Sequence, residues 1–167
     1  CLFRVNWIWR AWDGASAPDL VVVGNTRLPR RGAKPVLVFY QGEEATYTFL
    51  RQLLRGHLRR FDYLIMTEQD SPLTRRTWPA RPSGGVTMVA VAAALGPERL
   101  AIAGIDLYRH VEGRYPAGPA QRNAYARAHD RDTEVAMIAL LLASHRGQLT
   151  VHGEPLRQAL ADRGRVA

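Results

Sequence analysis

Between Arg81 and Tyr115 the chain reads RPSGGVTMVAVAAALGPERLAIAGIDLYRHVEGRY. This stretch predicts a loop, a helix, a tight turn, a strand and a second loop that carries polar groups. Ser83 stands where an N-cap belongs, and Gly84-Gly85 leave the first turn of backbone N–H groups uncovered. Val86 to Leu95 is almost all apolar or alanine, which predicts a helix buried on most sides. Gly96-Pro97 stops it, because glycine accepts a left-handed turn and proline cannot continue a helix. Arg99 to Gly104 is then a short apolar run of the kind found in central parallel strands. It ends at Gly-Ile-Asp-Leu-Tyr108. A helix start open to anions, beside a strand end bearing Asp106 and Tyr108, predicts a ligand crevice in an open α/β sheet.

Strand and helix patterns alternate on both sides of this stretch. Leu2–Ile8, Leu20–Val23, Pro35–Tyr40, Asp62–Met66 and Gln148–His152 read as strands. Glu43–Arg60, Thr133–His145 with Asp132 as N-cap, and Pro155–Arg163 read as helices. The expected fold is α/β, a Rossmann-like parallel sheet with helices on both faces. In the helix from Glu43, Phe49, Leu53 and Leu54 form the inward stripe and Arg51, Arg55, Arg59 and Arg60 a cationic outer face, with His57 near its end. Glu68–Pro82 is an irregular loop with three prolines, long enough to suggest a functional connection. Val111–Pro119 is a second, Gly/Pro-spaced loop. Val23-Gly24-Asn25 resembles the start of a phosphate loop, but Thr-Arg-Leu-Pro follows, with no helix. Arg27, Arg30, Arg31 and Lys34 then form a basic run that reads as a solvated loop. Trp7, Trp9 and Trp12 fit either core packing or a stacking platform for a base or sugar.

The 167 residues suit one domain with a real core. No apolar run reaches the roughly 18 residues of a membrane span, and no signal-peptide pattern is present. The single cysteine, Cys1, excludes an internal disulfide and fits a reducing cytoplasm. A net charge of +8 favours anionic partners: a nucleotide-sugar, an anionic membrane face or nucleic acid. Nucleic acid ranks last, since the arginines scatter over several elements and no RNA or DNA motif is present.

The ordered set Phe3-Arg4-Val5-Asn6, Ser83-Gly-Gly with its apolar helix, Gly104-Ile-Asp-x-Tyr108, Tyr115, Ala128-His129 and Asp132-Thr133 resembles the bacterial lipooligosaccharide sialyltransferases. The resemblance covers most of the chain and is weakest between Trp7 and Ala33. It implies a GT-A-like variant fold and an inverting transfer of sialic acid from CMP-sialic acid to a glycan hydroxyl. The expected location is cytoplasmic; the cationic face of the helix from Glu43 reads either as a plain solvated surface or as a peripheral contact with the anionic inner membrane, and a homo-oligomer is one expected state. In that family a strand and a Gly-Asn-Gly loop precede the segment matching Cys1–Asn6. The expectation is a single nucleotide-sugar-binding domain spanning 1–167 that lacks this first strand and loop, or a divergent chain that begins late.

Roles follow from the resemblance together with the chemistry. His129 corresponds to the catalytic histidine, and imidazole is the side chain that ordinarily accepts protons near neutral pH. Tyr108 and Tyr115 match two tyrosines that bond the leaving phosphate. A phenol donates a hydrogen bond without a permanent charge that would hold the ground state too tightly. The loop between them is one residue longer than the family form, and Tyr125 only approximates a third family tyrosine. Ser83, Gly84 and Gly85 are expected to cradle the sugar carboxylate at the helix end, with Arg81 beside them. Asn6 is read either as a donor-binding amide or as a turn cap. His110 and His152 are competing bases without motif support. Asp106 stands alone, with no Asp-x-Asp motif, and reads as a structural carboxylate; no metal and no cofactor beyond the donor substrate is expected. Where the family has a donor-gripping asparagine, this chain has Gln41, followed by Glu43 and Glu44, which suit an anion poorly. The alternatives are a transferase for another CMP-activated acidic sugar and a degenerate, non-catalytic nucleotide-sugar-binding domain.

Overall fold

A computed structural model describes residues 1–6, 16–24, 34–56, 61–109 and 129–164. Trp7, Trp9, Trp12, Arg27, Arg30, Arg31, His57, Arg59, Arg60, His110, the 111–119 loop, Tyr115 and Tyr125 lie outside them. The chain divides into two compact units, Cys1–Asp70 and Ser71–Ala167.

Among its described residues the first unit holds four strands, β1 (Phe3–Val5), β2 (Leu20–Val22), β3 (Val36–Phe39) and β4 (Tyr63–Ile65), one α-helix, α1 (Gly42–Leu54), and a 3-10 turn at Met66–Glu68. All strands are parallel and lie in sequence order β1-β2-β3-β4. Consecutive valines and leucines bury both faces of β2 and β3, as an all-parallel sheet requires, while β1 and β4 form the edges. Val21, Val23, Leu37, Phe39 and Ala45 form the core, joined by Phe49, Phe61 and Ile65. Phe49 meets Phe39 and Tyr63 edge to face, with ring centroids 6.0 and 5.1 Å apart.

At the start of α1, Glu44 folds back and accepts the Tyr40 and Gln41 N–H groups at 3.1 and 3.4 Å. The acids after Tyr40 thus begin a helix. Its inward face differs from the expected stripe. Ala45, Thr48 and Gln52 are buried and Phe49 is half-buried, whereas Leu53 and Leu54 point out. The spacing 45, 48, 49, 52 is one helical face, on which Ala45 and Phe49 pack into the core with Phe39.

In the second unit, α2 (Gly84–Ala94) packs on β5 (Arg99–Ile102) and on α3 (Arg131–Leu142). α3 in turn packs on α4 (Glu154–Ala161), and β5 pairs in parallel with β6 (Gln148–Val151). The N-cap at Ser83 and the stop at Gly96, which is left-handed at φ 57°, are as expected. Two features differ. β5 pairs with β6 alone among the described residues and exposes Arg99 and Ala101, so it is not buried on both faces as a central strand would be. The N-cap of α3 is Asp130, whose carboxylate accepts the Thr133 N–H at 2.8 Å; Asp132 lies inside the first turn, where the helix dipole favours an acid. The Thr133 hydroxyl and N–H hold the Asp130 carboxyl below its usual range. The segment 69–82 is irregular, as expected, and the Trp78 indole N–H pins it by donating to the Leu73 carbonyl at 2.9 Å. Among the described residues no helix is long and apolar enough to cross a membrane.

Gly147 precedes β6 where the chain passes against Pro97 and Glu98, and a Cβ there would collide with both of their carbonyl oxygens. Backbone cannot move aside as a side-chain tip does, and Gln148 N–H donates to the Glu98 carbonyl at 2.7 Å in the same place. Gly147→Ala should therefore cost about 1–3 kcal/mol through overpacking, read as a lower urea midpoint at unchanged slope. Unaltered stability would mean that the β5–β6 start is not closely packed.

Candidate functional site

A cluster of polar groups gathers in the second unit around a carboxylate that the sequence reading did not single out, Glu134. Its side chain is 2% exposed. Ser83 Oγ donates to Glu134 Oε2 at 3.1 Å, and the Tyr108 hydroxyl donates to Oε1 at 2.9 Å. His129 Nδ1 lies 3.6 Å from Oε1, too far for a hydrogen bond but close for a Coulombic partner.

Local rules place each member. Ser83 caps α2, accepting the Val86 N–H through Oγ and the Thr87 N–H through its carbonyl. Gly84 and Gly85 follow as the first helical residues, whose N–H groups have no partner within the helix. Tyr108 is reached through two successive left-handed residues, Leu107 at φ 51° and Tyr108 at φ 62°. Side chains rarely adopt this conformation. Asp106 holds it, accepting the Tyr108 N–H through Oδ1 at 3.0 Å and the Arg109 N–H through its carbonyl at 3.1 Å. Asp106 is thus the structural carboxylate expected, and Leu107 is driven into the core.

His129 sits just before the Asp130 cap. Its Nδ1 is 3.0 Å from the Arg81 carbonyl oxygen. A carbonyl only accepts, so Nδ1 carries the proton, and in the neutral ring Nε2 keeps its lone pair. The imidazole stacks on Tyr108, with centroids 6.2 Å apart and planes 19° from parallel, and its side chain is 20% exposed.

Of the residues proposed from sequence, Ser83, Tyr108, His129 and Arg81, the last through its main chain, are brought together, with Gly84 and Gly85 adjoining. Tyr115 lies outside the described residues. Asn6 belongs to the first unit, where its Oδ1 accepts the Gly24 N–H at 2.7 Å. Gln41 is the N-cap residue of α1. His152 is exposed at the end of β6, and its N–H donates to the Ile102 carbonyl. The signal for Glu134 was present: it is the one charge in TEVAMIALLL, residues 133–142, a run too apolar to face water. A carboxylate inside such a helix needs donors from elsewhere.

No family model, no curated protein and no solved structure matches the chain.

Burial pushes the Glu134 carboxyl above its ordinary range, against the Tyr108 and Ser83 hydroxyls and the His129 charge, which all lower it. The sign follows from proton binding. Between the ordinary glutamate value of about 4.3 and the raised folded value, the unfolded chain ionises first, so stability falls as pH rises through this window. Glu134→Gln, which cannot ionise, should lack that fall. Urea unfolding from acid to neutral pH should show the variant gaining on the native protein through the window and holding a constant difference above it. A native protein that gains on the variant as pH rises would contradict the assignment.

Proposed function

We propose that this chain is an inverting glycosyltransferase that moves sialic acid from CMP-sialic acid to a glycan hydroxyl, with His129 as the base. The observation that carries the reading is the arrangement of His129. Its proton is directed to the Arg81 carbonyl, its ring is braced on Tyr108, and a buried carboxylate lies 3.6 Å away. In the proposed step Nε2 takes the proton of the acceptor hydroxyl as that oxygen bonds to the anomeric carbon. The bond from that carbon to the phosphate oxygen breaks, and CMP leaves with the electron pair. The imidazolium that forms gains from Glu134. The N–H groups of Gly84 and Gly85 and the positive end of α2 suit the sugar carboxylate. The Tyr108 hydroxyl, turning from Glu134 to the departing phosphate, supplies a donor where charge develops, and Ser83 stays on Glu134. The finer fold assignment, a GT-A-like sialyltransferase variant, belongs to this same proposal.

A second reading, a non-catalytic nucleotide-sugar-binding domain, is favoured by one observation. The Tyr108 hydroxyl assigned to the leaving phosphate is donated to Glu134, as is the Ser83 hydroxyl. Transfer of another CMP-activated acidic sugar would use the same groups.

His129→Ala should lower transfer by about 10²–10⁴-fold and leave CMP affinity nearly unchanged, with a melting temperature lowered modestly by loss of the ring that packs on Tyr108 beside Glu134. Transfer within a few-fold of native would remove His129 from the mechanism. A native protein that binds CMP but is inert to CMP-sialic acid would favour another CMP-sugar or the binding domain. Tyr108→Phe should slow transfer by roughly a hundredfold, the usual effect of losing one transition-state donor, with a smaller loss of donor affinity. Equal losses would mean that the hydroxyl serves binding alone.

A further inference from the structure

α1 is inverted relative to its composition. It buries a threonine and a glutamine, Thr48 and Gln52, and leaves Tyr47, Leu50, Leu53 and Leu54 at 60, 53, 50 and 87% exposure. One exposed leucine is ordinary, but four large apolar side chains within eight residues are not. At 100° per residue they form a stripe about 120° wide, opposite the face set by Ala45, Thr48, Phe49 and Gln52. The helix is also graded in charge along its length. Glu43 and Glu44 stand at its N-terminal end, and Arg51 and Arg55 at the end where Leu50, Leu53 and Leu54 gather. In the sequence, Arg51 to Arg60 holds four arginines and no carboxylate, and the whole chain carries +8. Tyr63, on the neighbouring strand β4 and packed against Phe49, is 52% exposed.

We propose that this face of α1 docks on an anionic lipid surface. Leucines entering the acyl boundary, a tyrosine at headgroup depth and arginines against lipid phosphates are the parts of an interfacial helix. The charge decides between occupants. Four side chains on a 13-residue helix fall short of the roughly 800 Å² per partner of a stable protein contact, and two copies at +8 repel. Peripheral membrane binding has no such area requirement, because modest insertion and attraction to anionic headgroups add together. The proposal is independent of the chemistry assigned to His129.

The test is co-sedimentation of the full chain with vesicles of phosphatidylcholine alone and of phosphatidylcholine mixed with phosphatidylglycerol, at low and high salt. The native protein should bind the mixed vesicles at low salt, with affinity at least roughly tenfold weaker on phosphatidylcholine alone or at high salt. Leu50→Gln with Leu54→Gln should weaken binding by at least about tenfold at unchanged melting temperature, since neither side chain is buried. Arg55→Glu, a change at an exposed position, should weaken binding to the mixed vesicles only and gives a second reading independent of the leucines. Absence of native binding, or binding that both variants retain, overturns the proposal. So does self-association of the native chain that the leucine pair abolishes, which would assign the face to a second copy.

Discussion

A single buried carboxylate organises the second unit. Ionised Glu134, 2% exposed, is tolerable only if polar partners replace water, and the fold brings two hydroxyl donors and one Coulombic neighbour from three separate places. Ser83 comes from the cap of α2, Tyr108 from the turn after β5, and His129 from the residue before the cap of α3. The first turns of α2 and α3 add their positive ends. The costly left-handed pair at Leu107 and Tyr108 makes sense in this light: it is the route by which the phenol reaches Oε1 while Leu107 enters the core.

Beside this carboxylate, the Arg81 carbonyl gives His129 its two distinct ends. One nitrogen is turned to the Arg81 carbonyl, near Glu134, and the ring is braced on Tyr108. In the proposed transfer a base fixed in this manner needs no reorientation when it takes a proton, and the positive charge it acquires arises beside a negative one. The helix end expected to receive a substrate carboxylate already has an intramolecular one within its cap. The Gly84 and Gly85 N–H groups there have no partner within the helix, while the Ser83 hydroxyl is donated to Glu134.

Local signals were legible in the sequence wherever they were chemical. The Ser83 cap, the Gly96 stop, the apolar runs of β2 and β3 and the Asp106 brace all follow from residue types with one dominant use. The inward face of α1 was not legible, because three leucines and a phenylalanine compete for it and only the fold shows that Ala45 and Phe49 are the ones that pack with Phe39. Nor was the Asp130 cap separable from Asp132 by spacing alone. Glu134 was missed for a different reason: its partners lie 51 and 26 residues away, at Ser83 and Tyr108, and only the fold brings them together. The partial burial of β5 was invisible because a strand with one partner and a strand with two share the same apolar run.

The central claim is that the Glu134 cluster fixes the imidazole of His129 with its proton on Nδ1 and its lone pair on Nε2. Nitrogen-15 NMR of the histidine side chains in the full chain, with His129 assigned by its absence from the spectrum of an alanine variant, measures this directly. The account predicts that the neutral ring shows a protonated Nδ1 and a bare Nε2 as one dominant tautomer. A ring protonated on Nε2, or one that averages between the two tautomers, would contradict it.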